Sequence, residues 1–216
     1  MSAECITLAA AAPVVLEIAS AIIDNQALLS EIDGATGDGD HGINMAKGFR
    51  LARDRLNARS FDLRAGLAEI GDTLLGDIGG SMGPLYGSFF TEMADKLADT
   101  DTLDSAHMAA MLAAGEDAIR DLGEAKPGDK TLIDVLTPAR VAYDETAASG
   151  GDFVACLTAA KQAAAVGLEA TRDMVARLGR AARLGERSRG SLDAGACSCN
   201  LIIQALAGGL IARLTA

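Results

Sequence analysis

Apolar positions recur at helical spacing along almost the whole 216-residue chain, and no stretch alternates apolar with polar residues for long enough to make a convincing strand. That pattern confines the chain to an all-α fold. Half of the residues are hydrophobic but only 3% are aromatic, with five Phe, two Tyr and no Trp, so the apolar mass lies in small and aliphatic side chains. Such side chains suit close-packed helices better than a β-sandwich. The length fits one domain over 1–216, with one core.

The periodicity predicts helices near 13–32, 43–58, 62–77, 84–98, 104–122, 131–148, 152–178 and 194–214, the first with a break at Asp24-Asn25. Eight helices on short connections suggest an up-and-down bundle. Pro13 and Pro84 suit first turns, Asp62 and Asp104 suit N-caps, and Gly123 and Gly150-Gly151 suit stops. Pro138 falls inside a predicted helix, where it forfeits a backbone hydrogen bond and predicts a bend or a division.

Thirty acidic against nineteen basic residues give a net charge of -11, the wrong sign for neutralising a phosphate backbone or an anionic bilayer. Neither nucleic acid nor a membrane surface is therefore an expected partner. Cys5, Cys156, Cys197 and Cys199 lack the repeated framework of a disulfide-stapled domain, which favours reduced thiols. Cys197-Ser198-Cys199 sits in an apolar run without a nearby His or a second Cys pair, so it reads as small core residues. Glu4 precedes the first apolar stretch and no Lys or Arg does, unlike a secretion signal, and a cytoplasmic location is expected. Ala194 to Ala212 carries no charge over nineteen residues, but Ser198, Asn200, Gln204 and Gly208-Gly209 favour a buried helix over a membrane span.

Four Gly-rich loops interrupt the helices. The first, Asp33 to Asn44, places Asp33, Asp38 and Asp40 among glycines. Gly37 to Gly42 matches the spacing G-x-G-x-x-G, yet a helix rather than a strand precedes it, and its two Asp would repel a pyrophosphate unless cations lay between. Counted from Asp38 as an EF-hand, the sixth and twelfth positions are Ile43 and Phe49, where a calcium loop needs Gly and Glu. A hard-cation site remains, with carboxylates and phosphate oxygens sharing Mg²⁺, and its plain alternative is a solvated acidic turn.

The second loop, Gly79 to Pro84, leads into a helix predicted from Leu85, which makes it either an anion cradle of backbone N–H groups or a turn capped by Ser81. The third, Gly123 to Thr131, resembles a P-loop except that Asp129 intrudes before Lys130 and no strand precedes it. A Gly-Pro turn with Asp129 as the next helix cap accounts for it equally. The fourth, Gly179 to Gly195, gathers Arg180, Arg183, Arg187 and Arg189, either as an ion-paired face or as a bidentate clamp on phosphate oxygens.

Taken together, the runs G-D-G-D-H-G-x-N at Gly37 to Asn44, P-L-Y-G-S-F-F at Pro84 to Phe90, K-P-G-D-K-T at Lys126 to Thr131 and L-G-E-R-S-R-G at Leu184 to Gly190 resemble the nucleotide-binding L subunit of dihydroxyacetone kinase. The likeness runs from about Ile18 to Gly209. It implies an eight-helix antiparallel barrel whose loops at one end hold ADP or ATP over two Mg²⁺ ions. By this pattern Asp33, Asp38 and Asp40 are metal ligands, and His41, Gly42, Ile43 and Asn44 contact the nucleotide. Ser81 and Met82 fall at its phosphates, Gly128 and Thr137 near the base, and Arg180 with Asp193, Ala194 and Gly195 closes the pocket. Met82 departs from the pattern, which carries a hydroxyl residue there; Ser81 or the backbone must take its place, or the site is used differently.

The resemblance further implies phosphoryl transfer to a small ketose held by a separate ketose-binding subunit, with no catalytic side chain assigned to this chain. His41 belongs to the nucleotide loop, and His107 is expected on an outward turn of a helix. Three alternatives stay open: resident ADP recharged by a phosphohistidine protein of the sugar phosphotransferase system, exchanging ATP in a kinase of dihydroxyacetone or an erythrulose-like tetrulose, and a nucleotide-sensing regulatory partner. The oligomeric state, a homodimer included, is also open.

Overall fold

A computed structural model of the chain describes residues 4–216. Its elements run β1 (Cys5–Thr7), α1 (Leu8–Ala11), α2 (Pro13–Asp24), α3 (Gln26–Thr36), α4 (His41–Asn57), α5 (Leu63–Asp77), α6 (Met82–Asp95), β2 (Thr102–Asp104), α7 (Ser105–Gly123), α8 (Ile133–Ala148), α9 (Phe153–Ala170) and α10 (Ala194–Leu214). Helix α2 packs on α4, each helix from α4 to α9 packs on the next, and α10 packs on α9 and returns to α2. Eight helices thus close a ring, as expected for an up-and-down barrel, and α3 lies against α4. The break foreseen at Asp24-Asn25 is a bend of 53°.

Local chemistry sets where helices begin. Asp62, Asp104 and Asp152 each accept a hydrogen bond from the backbone N–H three residues on, opening α5, α7 and α9. Asp129 does not cap α8 as the loop suggested. Its carboxylate accepts from Lys126 N, and Asp134 instead accepts from Gly128 N and Thr131 N. The ring is filled by aliphatic side chains with few aromatics, among them Phe90, which meets Phe49 and Phe89 edge-on at 5.8 and 5.1 Å.

Three expectations are corrected. Helix α9 ends at Ala170, not near 178, because the Thr171 hydroxyl bonds back to Leu168 O and Met174 turns extended. A long connection follows, with 3-10 turns at Thr171–Asp173 and Ala181–Ser188. Of the bend or division expected at Pro138, the division does not occur, and α8 runs on through it. The carbonyl that its missing N–H would have bonded, on Asp134, faces Gly167 of α9, where a Cβ would collide with that oxygen. The third correction is a short antiparallel ladder, β1 against β2, pairing Ile6 with Leu103.

Two helices, Phe153–Asp173 and Ala194–Leu214, are long and apolar enough to cross a membrane, and the bent pair Leu8–Asp24 with Gln26–Thr36 would make a third. In the fold, α10 is enclosed by α2, α3, α8 and α9, and Cys197, Ser198 and Cys199 are buried in it.

Candidate functional site

Alternate connections of an up-and-down ring emerge at the same end, and four of them line one cavity of about 540 Å³. These are the α3–α4, α5–α6, α7–α8 and α9–α10 connections, the four Gly-rich loops of the sequence. Helices α5, α7 and α9 start elsewhere and carry side-chain caps, whereas α4 and α6 start at the cavity and have none. The first N–H groups of α6, with the positive end of its dipole, are left to a ligand, whereas the first of α4, on His41, is taken by Asp33. Ser81 precedes α6 without capping it, and both Ser81 and Met82 line the cavity, Met82 also packing on the core.

In the first loop, Gly39 takes a left-handed φ of +78°, which turns the chain sharply between Asp38 and Asp40. Oxygens of Asp33, Asp38 and Asp40 then come within 4.8 Å of one another at the cavity. Arg180 reaches across from the α9–α10 connection, pairing with Asp38 and lying 3.7 Å from Asp40. One cation against three formal carboxylate charges leaves a local excess of negative charge. The donor set, all hard oxygen, fits Mg²⁺ shared with phosphate, and not a soft or borderline metal.

Beneath the trio, His41 N donates to Asp33 Oδ2 (3.3 Å), and His41 Nε2 lies 2.9 Å from Ser198 Oγ. Ser198 Oγ also lies 2.7 Å from Tyr86 OH, and Gly195 O lies 3.0 Å from both, so two hydroxyl protons are shared over these three contacts. Burial lowers His41 to a pKa of about 4 despite the pull of Asp33, so the ring is neutral at physiological pH. Burial likewise pushes Tyr86 well above its ordinary value. This network ties the Asp loop, α6 and the start of α10 together. Asp193 caps α10 by accepting from Ala196 N (2.7 Å), and Asn44, Asp193, Ala194 and Gly195 all line the cavity.

Four residues expected at the site do not line it. Gly42 is buried where α4 crosses α3, with no room for a Cβ against Gln26 O and Ser30. Ile43 is 55% exposed. Gly128 takes a left-handed φ of +95° and donates its N–H to Asp134. Thr137 donates to Glu116 Oε1 (2.6 Å) and accepts from Arg120 (3.2 Å), spending its hydroxyl within a charged cluster that Arg140 completes. Burial alone would raise Glu116, but hydrogen bonds from Thr137 and Arg140 and the charges of Arg140 and Arg120 hold it below its ordinary value. The apolar wall was not foreseen: Leu85, Ile119, Ala125, Leu132 and Leu178 give the cavity a face suited to a flat ring. Nothing in the sequence separates those residues from core. Tyr86 and Lys130 stand within quoted motifs without having been singled out.

A family model described as the DAK2 domain matches residues 35–208. The chain belongs to the DAK2 domain family. That DAK2 match holds every cavity-lining loop but begins two residues after Asp33. Among relatives, the DAK2 chain is 37% identical over 184 residues to the ADP-binding subunit DhaL of PEP-dependent dihydroxyacetone kinase 1 of Listeria innocua, covering 85% of this chain and 87% of that one. It is 38% identical over 191 residues to the L-erythrulose 1-kinase of Mycolicibacterium smegmatis, covering 85% of this chain but 32% of that protein. A crystal structure of the dihydroxyacetone kinase from C. freundii in complex with AMP-PNP and Mg²⁺ superposes with a TM-score of 0.67 at 28% identity, over 93% of this chain and 33% of that one. The DAK2 chain therefore spans most of the DhaL subunit and about a third of the erythrulose kinase and of the solved kinase.

Proposed function

We propose that the chain is the nucleotide-holding subunit of a dihydroxyacetone-type ketose kinase, binding ADP or ATP with Mg²⁺ and acting with a separate ketose-binding subunit. The observation that carries this reading is the convergence of Asp33, Asp38 and Asp40 on one cavity with the uncapped N-terminus of α6 and an apolar wall.

Each part has a task in phosphoryl transfer. Asp33, Asp38 and Asp40 would hold two Mg²⁺ ions, whose chemistry is to neutralise charge on the moving phosphoryl group. The N–H groups opening α6, beside Ser81 and Met82, bind phosphate oxygens, and the backbone supplies what a hydroxyl at position 82 would have given. Leu85, Ile119, Leu132 and Leu178 enclose the base and exclude water. Arg180, now paired with Asp38, is within reach to turn onto phosphate oxygens once cations take over the carboxylates. Neutral His41 keeps the loop in place through Ser198 and Tyr86 and stores no positive charge beside the cations.

The names of relatives leave the donor and the ketose divided. The Listeria innocua subunit is described as PEP-dependent, which agrees with a resident ADP recharged by a phosphohistidine protein. The erythrulose kinase, 38% identical, favours a second reading, an exchanging ATP and a four-carbon ketose. Denaturing the protein purified without added nucleotide and identifying what it releases separates them: near-stoichiometric ADP supports the first, and an empty protein that binds Mg·ATP supports the second. Binding of neither overturns the proposal. Asp38→Asn with Asp40→Asn should abolish Mg²⁺-dependent retention while the helical circular dichroism persists, and unchanged retention would sink the ligand assignment.

A further inference from the structure

The α9–α10 connection, 171–193, brings Arg180 to the cavity, yet among its residues only Thr171, Ala176 and Ser188 are buried. So little apolar contact cannot by itself fix a segment of this length. Its anchor comes from another loop. Lys130, 1% exposed, donates from Nζ to the carbonyl oxygens of Met174 (3.3 Å), Ser188 and Ser191 (2.7 Å). An ammonium has three N–H donors, and all three are matched here by acceptors on two separated limbs of one connection. The bonds to Ser188 and Ser191 hold the limb that returns to Asp193, and the bond to Met174 holds the limb that leaves α9.

Surrounding bonds cooperate. Arg177 N donates to Asp129 O (3.1 Å), Ala176 N to Ser188 Oγ (2.9 Å) and Gly190 N to Arg172 O (2.8 Å). Lys130 itself adopts a left-handed φ of +62°, which costs an L residue energy and persists only where surrounding structure enforces it. Lys130 also borders the cavity, where a P-loop-like lysine would contact phosphate, but its donors are spent on the connection. We propose that Lys130 is a positioning residue that staples the 171–193 connection and so presents Arg180 to the phosphates of a bound nucleotide. This rests on the nucleotide reading above for its last step alone.

The connection contains Arg172, Arg177, Arg180, Arg183, Arg187 and Arg189, so trypsin reports directly on whether it is held. With nucleotide absent, Lys130→Met should speed cleavage within 172–189 about tenfold while far-UV circular dichroism is retained. The same variant should weaken Mg·ADP binding, measured by calorimetry, about tenfold. Combined with Arg180→Ala it should weaken binding less than about twofold further, because both changes remove one contact. Unchanged cleavage overturns the staple, and penalties that multiply in the double variant place Lys130 on the nucleotide itself. Should Lys130→Met fail to fold, hydrogen exchange on the wild-type protein decides. Slow exchange at Ala176, Arg177 and Gly190 supports the staple, and exchange at loop rates overturns it. Failure of the wild type to bind either Mg·ADP or Mg·ATP refutes the nucleotide reading, while trypsin and exchange still judge the staple.

Discussion

Asp193 is a carboxylate that the fold tolerates poorly. Loss of water around the carboxylate of this half-buried residue pushes it up to about 6, while Ala196 N–H and Lys130 pull it down and Asp134 and Asp33 add to the rise. Because the folded value exceeds the ordinary 3.8, the folded state holds the extra proton. The cost of the charge is absent below the ordinary value, grows as pH rises between the two values, and is complete above about 6. Asp193→Asn keeps a side-chain oxygen for the cap and removes the charge. It should raise the unfolding temperature at pH 8, by roughly 2–4 °C for each kcal/mol relieved, and make little difference below the ordinary value of 3.8. A lower unfolding temperature at pH 8 would mean that the charge on Asp193 is stabilising through Lys130. At this scale the sequence was legible where chemistry is local. Asp33, Asp38 and Asp40 stand eight residues apart or fewer and could be recognised together. Ser198 could not: it bonds His41 from 157 positions away, and in the sequence it is one hydroxyl in an apolar run.

Between elements, α9 comes close to α8 where Gly167 meets the Asp134 carbonyl, which the missing N–H of Pro138 cannot bond. Backbone cannot retreat as a side chain can. Gly167→Ala should therefore destabilise by about 1–3 kcal/mol, read as a lower urea midpoint at unchanged slope. Gly76→Ala is the control, since a Cβ there meets nothing within 4 Å and the residue lies inside α5. It should be neutral or stabilising by about 0.5–1 kcal/mol. Helix starts were legible because an Asp at a cap is a side-chain signal, as at Asp62 and Asp104. The end of α9 was not, because helical spacing of apolar residues continues beyond Ala170, and the Thr171 hydroxyl that bonds back to Leu168 O is held by a tertiary bond from Asp193 N. Strands β1 and β2, three residues each, are too short for any alternation to register.

For the molecule as a whole, the cavity is assembled from four connections that no single helix pair contains. Mg·ADP should consequently stabilise everything at once. At a free concentration a hundred times its dissociation constant it should add about 2.7 kcal/mol, or about 5–10 °C in one cooperative thermal transition. ADP with a chelator should give much less, and equal shifts with and without Mg²⁺ would remove the metal from the account. The ring itself followed from eight periodic segments on short loops. Which helices close it did not, since only packing of α10 on α2 determines that.

That closure also governs when the protein becomes competent during synthesis. Helices α2 and α10 lie side by side, joined by Arg213 and Glu17 at 2.7 Å, across almost the full length of the chain. A nascent chain emerging from the ribosome can stack α4 on α5 and α5 on α6 early, yet it has no complete wall for a ligand until α10 arrives with Ala194 and Gly195. A chain made only as far as α9 therefore lacks one wall of the cavity, and nucleotide should not be retained before α10 is in place.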